Sequence, residues 1–270
     1  MTLKLALALA LALAPAAVLT QAPFRAVLAQ EPQERQLKSP VSHMVTLIHI
    51  GKAGGSSIIR EWLASDNLTF TFDEIHTTPV TEKAIKGKVV VISGRDPIER
   101  LISAYNWRHP RNCNSNRMCN VAHGVHRAQE LRFYACFPTI HDFVNGKKCS
   151  ALHSDVINSR VLMGHINRGF QFHLKNVEQT TISPFYMVDT YTFDYDMACL
   201  RSKLSYRHSE GSMHVRTTYN SLYETLNVSE RKRVAQWPFI QQDNGWYSWL
   251  KSNNELKCGD SHTSPPPVAK

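Results

Sequence analysis

The stretch from Val45 to Leu63 constrains this chain more than any other part of it. It reads Val-Thr-Leu-Ile-His-Ile, then Gly-Lys-Ala-Gly-Gly-Ser-Ser, then Ile-Ile-Arg-Glu-Trp-Leu. The continuous apolar run at residues 45–50 predicts a strand covered on both faces. The glycine pair predicts a turn, and residues 57–63 predict the first turns of a helix. Such a strand–turn–helix aims backbone N–H groups and a positive helix end at one point in space. That makes an anion site out of backbone geometry. Lys52 adds a mobile charge there, and Ser56 and Ser57 add hydroxyls.

The rest of the chain repeats the alternation. Residues 69–76, 88–93 and 185–189 predict further strands, that at 88–93 β-branched and buried. Residues 97–105 predict a helix with a defined start: Asp96 as N-cap, Pro97 at the first position and Glu99 at the third. Residues 197–204, 228–236 and 244–251 predict later helices. Strands alternating with helices imply an α/β fold, with a P-loop-like parallel β-sheet and helices on both faces. Ligands of such sheets sit at the carboxyl ends of the strands. Residues 113–169, rich in His, Arg, Asn and Cys, break this pattern. They are expected to form an irregular, disulfide-tied insertion of short helices over the site.

The N-terminus speaks to compartment. Lys4 precedes an almost pure Leu/Ala run, and small residues follow near Thr20-Gln21-Ala22. This is the layout of a signal peptide. It is short for a membrane span, but a signal-anchor reads much the same. Residues 1–22 are therefore a signal peptide or signal-anchor, residues 23–42 a stem or linker, residues 43–258 the folded domain and residues 259–270 a disordered tail. Six cysteines fit an oxidising lumen, and none forms a CxxC pair or a zinc spacing. Proximity suggests Cys113 with Cys119 and Cys136 with Cys149, leaving Cys199 with Cys258. Sequons at Asn67 and Asn227 would be glycan acceptors there. A net charge of +9 favours polyanionic partners such as acidic glycans.

The first turn is not an ATP-type loop. That motif places Lys after the last glycine and before Ser or Thr, whereas Lys52 precedes Gly54-Gly55. A magnesium-dependent nucleotide hydrolase also needs a strand-end aspartate. The strand at residues 88–93 runs instead into Gly94-Arg95. An arginine there reads a second anion. Two anion-reading strand ends suggest one ligand with phosphates at two separated positions. Ser103 lies two helical turns beyond Arg95. No GxSxG nucleophile pattern is present.

Together, His49-Ile50-Gly51-Lys52-Ala53-Gly54-Gly55-Ser56-Ser57 and Arg95-Asp96-Pro97-Ile98-Glu99-Arg100-Leu101-Ile102-Ser103-Ala104-Tyr105 resemble a pair of known cofactor signatures. These belong to the membrane-associated Golgi sulfotransferases, particularly the heparan and chondroitin uronyl 2-O-sulfotransferase-like group. Their HxxKxGGT element binds the 5′-phosphosulfate of 3′-phosphoadenosine-5′-phosphosulfate (PAPS), and their RdPxxRxxSxY element binds its 3′-phosphate. Ser56 stands where threonine is more usual. The resemblance implies a cofactor site made of Lys52, Ala53, Gly54, Gly55, Ser56, Ser57, Arg95 and Ser103. Arg216 would help to close over the nucleotide, though a solvated charge reads the same.

The resemblance also assigns chemistry. Sulfuryl transfer to a hydroxyl needs a base at the acceptor oxygen and a cation at the leaving phosphate. Lys52 is the expected cation, and His76, at the end of the second strand, the expected base. A surface or capping histidine is the alternative for His76, and His49 reads as a satisfied core histidine. Trp107, Arg108, His109 and Arg111 would line an acidic-acceptor groove, extended by Arg127, Arg132, Lys147, Lys148 and Arg160. Arg100 reads as a surface charge. The expectation is a PAPS-dependent sulfotransferase of the Golgi lumen, type II membrane-bound or secreted. It would need no metal, take an acidic glycan acceptor and bind no nucleic acid. Sulfation of protein tyrosine, a nucleotide-dependent kinase or hydrolase, and a non-enzymatic basic glycan-binding protein are the rival readings.

Overall fold

The computed structural model describes residues 43–113, 125–207 and 223–256, with the side chains of residues 112–127 outside that description. The N-terminal segment and stem, the C-terminal tail, the Arg127 side chain, Arg216 and the Cys113–Cys119 pairing therefore lie outside that description. The elements begin with β1 (His43–Ile48), α1 (Gly55–Leu63), β2 (Phe70–Ile75), α2 (Glu82–Ile85), β3 (Val89–Gly94) and α3 (Pro97–Arg108). Short helices follow: α4 (Pro110–Cys113), α5 (Val125–Cys136), α6 (Ile140–Asn145), α7 (Ser150–Ile157), α8 (Phe170–Leu174) and α9 (Gln179–Ile182). The chain returns to the sheet as β4 (Phe185–Asp189), then forms α10 (Phe193–Leu204), α11 (Val228–Val234) and α12 (Pro238–Asn253).

All four strands are parallel, in the order β2-β1-β3-β4. From β1 the chain moves through α1 to one side, and from β3 it departs to the other. The crevice between the carboxyl ends of β1 and β3 is thus the point where the winding reverses, the usual place for a ligand in an open α/β sheet. Side-chain alternation divides the core. Val45, Leu47, Val91 and Val188 pack with Ile58 and Trp62 of α1 and Met197 and Leu200 of α10. Ile48, Val90, Ile92, Phe185 and Met187 pack with α8 and with Leu250 of α12 on the opposite face. Helices therefore cover both faces. Each fully buried aliphatic side chain such as Ile58 contributes about 1.5–3 kcal/mol.

Asp96 caps α3 as its sequence implies, accepting from the N–H groups of Ile98 and Glu99 at 3.0 Å each. The helix runs three residues beyond the expected Tyr105, and so carries Trp107. One turn into it, Arg100 corrects the expectation of a surface charge: it is fully buried. Its guanidinium donates to the carbonyls of His165 (2.6 Å) and Ile166 (3.1 Å) and pairs with Asp243 of α12 at 3.3 Å. Burial lowers the Arg100 pKa and raises that of Asp243, so each is the other's compensation. Gly169 admits this pairing, since a Cβ there would lie 1.7 Å from the Asp243 carboxylate.

The Cys136–Cys149 disulfide joins the end of α5 to the start of α7. Cys199 is also disulfide-bonded, and Cys258 lies outside the described residues. Of the described insertion, His165 reaches the site as expected, while most of the rest packs away from it. That part shares an apolar core with Leu101, Ile102 and Tyr105 of α3, and with α11 and Trp237. Among the described residues no helix is long and apolar enough to cross a membrane.

Candidate active site

The first strand ends two residues earlier than its apolar run suggests, and the turn begins at Gly51. Ala53 donates its N–H to the Ile50 carbonyl at 3.1 Å. Lys52 (φ 67°) and Gly54 (φ 87°) both adopt left-handed backbone. For a lysine that conformation costs about 1–2 kcal/mol, strain of the kind stored where function holds it. Gly54 is the N-cap of α1, with no side chain capping it and no acidic residue in the first turn. The first N–H groups of α1 therefore rely on something else for acceptors.

The second strand end joins the first directly. The Ser93 hydroxyl accepts from the Ile50 N–H at 2.9 Å, tying the ends of β1 and β3 together. Arg95 then reaches across, its Nη1 donating to the Lys52 carbonyl at 3.4 Å. Lys52, Gly54, Gly55, Ser56, Ser57, Arg95, Ser103 and His76 line one cavity with His49, Arg60, Trp107, His165 and Thr190. Of the expected cofactor residues within the description, only Ala53 turns its side chain away, into the core.

The acceptor groove needs correction. Arg108 pairs with Glu130 at 2.6 Å and Arg111 with Glu224 at 2.5 Å. His109 is buried, its Nε2–H donating to the Pro138 carbonyl at 2.9 Å. None of these lines the cavity, nor do Arg132, Lys147, Lys148 or Arg160. Neutralised pairs of this sort hold helices together and present little charge to a ligand. Trp107 alone reaches the cavity, with the Lys52 ammonium 3.8 Å from its ring centroid, a cation–π contact.

Histidines build the opposite wall. His76 Nδ1 lies 2.9 Å from the His49 carbonyl, so Nδ1 is the donor there and Nε2 is the nitrogen left for a ligand. His49 is buried, as its strand position implies, and its Nδ1–H donates to Glu74 at 2.5 Å. The two imidazoles stack at 3.9 Å, and His165 lies 5.2 Å from His76. Gly51 and Gly55 permit this crowding. A Cβ on Gly51 would fall 2.2 Å from His165 Nδ1, and one on Gly55 would fall 2.1 Å from the His49 ring.

Burial first, then the proximity of His76, lowers the His49 pKa to about 4, against the opposing pull of Glu74. Burial likewise lowers His165 to about 2 and His173 to about 3. All three are neutral when folded. On unfolding they recover an ordinary value near 6.5. Stability is therefore present above that value and lost as pH falls below it, by about 1.4 kcal/mol per histidine per pH unit. Urea titrations at pH 7, 6 and 5 check this. His173→Gln is expected to flatten the dependence, and an unchanged slope would exclude His173 as a cause.

His49, Glu74 and His76 offer ligand atoms within 4.8 Å of one another, the closest approach to a metal site among the described residues. The stacked rings, however, are only 25° from parallel, so their in-plane lone pairs do not converge on one ion. The set is better suited to moving a proton beside a bound anion. Arg60, His165 and Thr190 are the cavity residues that sequence reasoning missed. Arg60 stands one helical turn beyond Ser56, and Thr190 follows the carboxyl end of β4. Both positions were open to helix-spacing and strand-end arguments. His165 carries no local signal. No protein-family model, curated protein or solved structure matches the chain, so the functional reading rests on the site's own residues.

Proposed function

We propose that this chain is a PAPS-dependent sulfotransferase acting on a hydroxyl of an acidic glycan in the secretory pathway. One observation carries the reading: an uncapped helix N-terminus with Lys52 and a second strand end with Arg95 and Ser103 open into one cavity, and a histidine with a free Nε2 faces it. The residue types fit an adenosine bisphosphate skeleton. The α1 N–H groups, Ser56 and Ser57 would hold the 5′ end, and Arg95 with Ser103 the 3′-phosphate. PAPS would supply an activated sulfuryl group on an already good leaving phosphate.

The remaining work falls to the chain. His76 Nε2 takes the proton of the acceptor hydroxyl, and the His49 carbonyl steadies the resulting imidazolium through Nδ1–H. Lys52 moves from the Trp107 face toward the oxygen that gains charge as the S–O bond breaks. His165 and Trp107 restrict water around the reacting atoms. Lys52→Ala is expected to lower sulfate transfer by about 10²–10³-fold. Arg95→Ala is expected to weaken adenosine 3′,5′-bisphosphate binding by about 1.5–3 kcal/mol, the worth of a charge-assisted hydrogen bond. Transfer assays with radiolabelled PAPS and calorimetry read these two effects, and wild-type behaviour in either variant removes that residue from the site. The secretory placement follows from the N-terminal sequence and would be read from the location of the full-length chain in cells.

A further inference from the structure

We infer that His49, backed by Glu74, is a proton-accepting wall of the anion cradle: its ring is neutral without an anion and takes a proton from solvent at Nε2 when an oxyanion binds. The inference deepens the proposed function and rests on the cradle holding an oxyanion.

The geometry carries it. Nδ1–H is committed to Glu74, so Nε2 is the one ring position left for a second proton. That edge of the ring lies beneath the start of α1: a Cβ on Gly55 would fall 2.1 Å from Cδ2 and 2.7 Å from Nε2. The start of the helix, whose N–H groups select for anions, lines the same cavity as His49. A histidine that only filled space in the sheet would not need to line the cavity as well.

The groups facing His49 hold the balance. Glu74 of β2 favours the imidazolium, while His76 beyond β2 and Lys52 in the turn oppose it; His173 of α8 lies within electrostatic range as well. Burial tips the sum toward the neutral ring, with the pKa near 4. An oxyanion beside Nε2 adds an opposite charge and a hydrogen-bond acceptor, and both favour the protonated form. The cradle would then match its own charge to its occupant, adding a cation only when an anion arrives. Anion affinity is expected to rise as pH falls. His49 would also face the charge that the leaving phosphate gains in transfer, which places it opposite His76 in role: one histidine receives the acceptor's proton while its stacked neighbour is already charged against the phosphate.

Histidine-labelled full-length protein, titrated by NMR in sodium sulfate and in sodium chloride of equal ionic strength, tests this. Sulfate has no titrating proton in this range, so any uptake belongs to the protein. The signal missing in His49→Gln is expected to titrate about one pH unit or more higher in sulfate. Glu74→Gln, at an exposed position, gives a second assignment by moving the same midpoint down in both salts. Gly54–Ser57 amides that respond to sulfate while the His49 midpoint stays fixed would overturn the inference and leave the cradle standing. Amides that respond neither to sulfate nor to adenosine 3′,5′-bisphosphate would overturn both.

Discussion

His76→Ala is expected to lower turnover by about 10²–10⁴-fold while adenosine 3′,5′-bisphosphate binds as before. The asymmetry follows from where the side chain stands. Its Nδ1–H bonds to the His49 carbonyl, and its ring stacks on His49 but touches neither the α1 turn nor Arg95 in any contact the structure shows. The anion-reading groups come from the turn after β1 and the end of β3, which Ser93 and Arg95 tie together without it. Removing the imidazole therefore removes a proton acceptor and leaves the nucleotide site. Lys52→Ala should behave differently, since on the proposed reading its ammonium leaves the Trp107 face for the oxygen that gains charge, beside the nucleotide itself. Transfer rates at saturating PAPS, together with calorimetric binding, separate the two. Unchanged turnover in His76→Ala would move the base elsewhere, and loss of nucleotide binding would make the residue a structural one.

Arg100→Ala is expected to destabilise the fold by about 3–5 kcal/mol, the largest stability effect of any single change considered. The guanidinium is fully buried and compensates a carboxylate that is almost fully buried. Truncation leaves the Asp243 charge alone in the core and takes donors from the His165 and Ile166 carbonyls. Asp243 keeps its backbone bonds from Gln171, at 2.8 Å, and Phe170, which do not offset a buried charge. Replacing both partners together, as Arg100→Met with Asp243→Leu, is expected to recover much of the loss, because neither charge is then stranded. Urea unfolding measures both variants. A loss under about 1 kcal/mol for Arg100→Ala would show that the pair is not held as described. Because Arg100 anchors the segment that carries His165 into the cavity, weakening it should also loosen the wall beside His76.

His76 lines the cavity that its place after the second strand implied, whereas Arg100 is buried where a surface charge was expected. The cradle was legible because its chemistry is local. A strand, a glycine pair, a lysine before it and serines after it lie within one short stretch, and backbone geometry does the rest. The start of α3 was legible for the same reason, since Asp96 and Pro97 act on the N–H groups next to them. Its end could have been read as well: His109 precedes Pro110, and the residue before a proline is pushed out of helical backbone. The α12 start was missed because Asn244-Gly245 looks like a break, yet the helix runs through it from Pro238, held by Ile240 and Leu250 in the core.

Arg100, Arg108 and Arg111 were misread because a charge has no fate until its partner is known. Their partners Asp243, Glu130 and Glu224 come from distant parts of the chain. His165 is hidden for the same reason. It reaches the site only because Arg100 grips its carbonyl and Gly51 leaves room for its ring. His49 was read correctly as buried and satisfied, but burial concealed that the same ring also lines the cavity.

The central claim is that the two strand ends form one site for a nucleotide carrying phosphates at two positions, and that the chain moves sulfate from it. Incubating the full-length protein with radiolabelled PAPS and a panel of acidic glycans tests this most directly. The account predicts label on a glycan hydroxyl, undiminished by a metal chelator, competed by adenosine 3′,5′-bisphosphate and lost in Lys52→Ala and Arg95→Ala. Magnesium-dependent turnover of ATP with no transfer of sulfate would contradict it, as would salt-sensitive glycan binding that PAPS leaves unchanged.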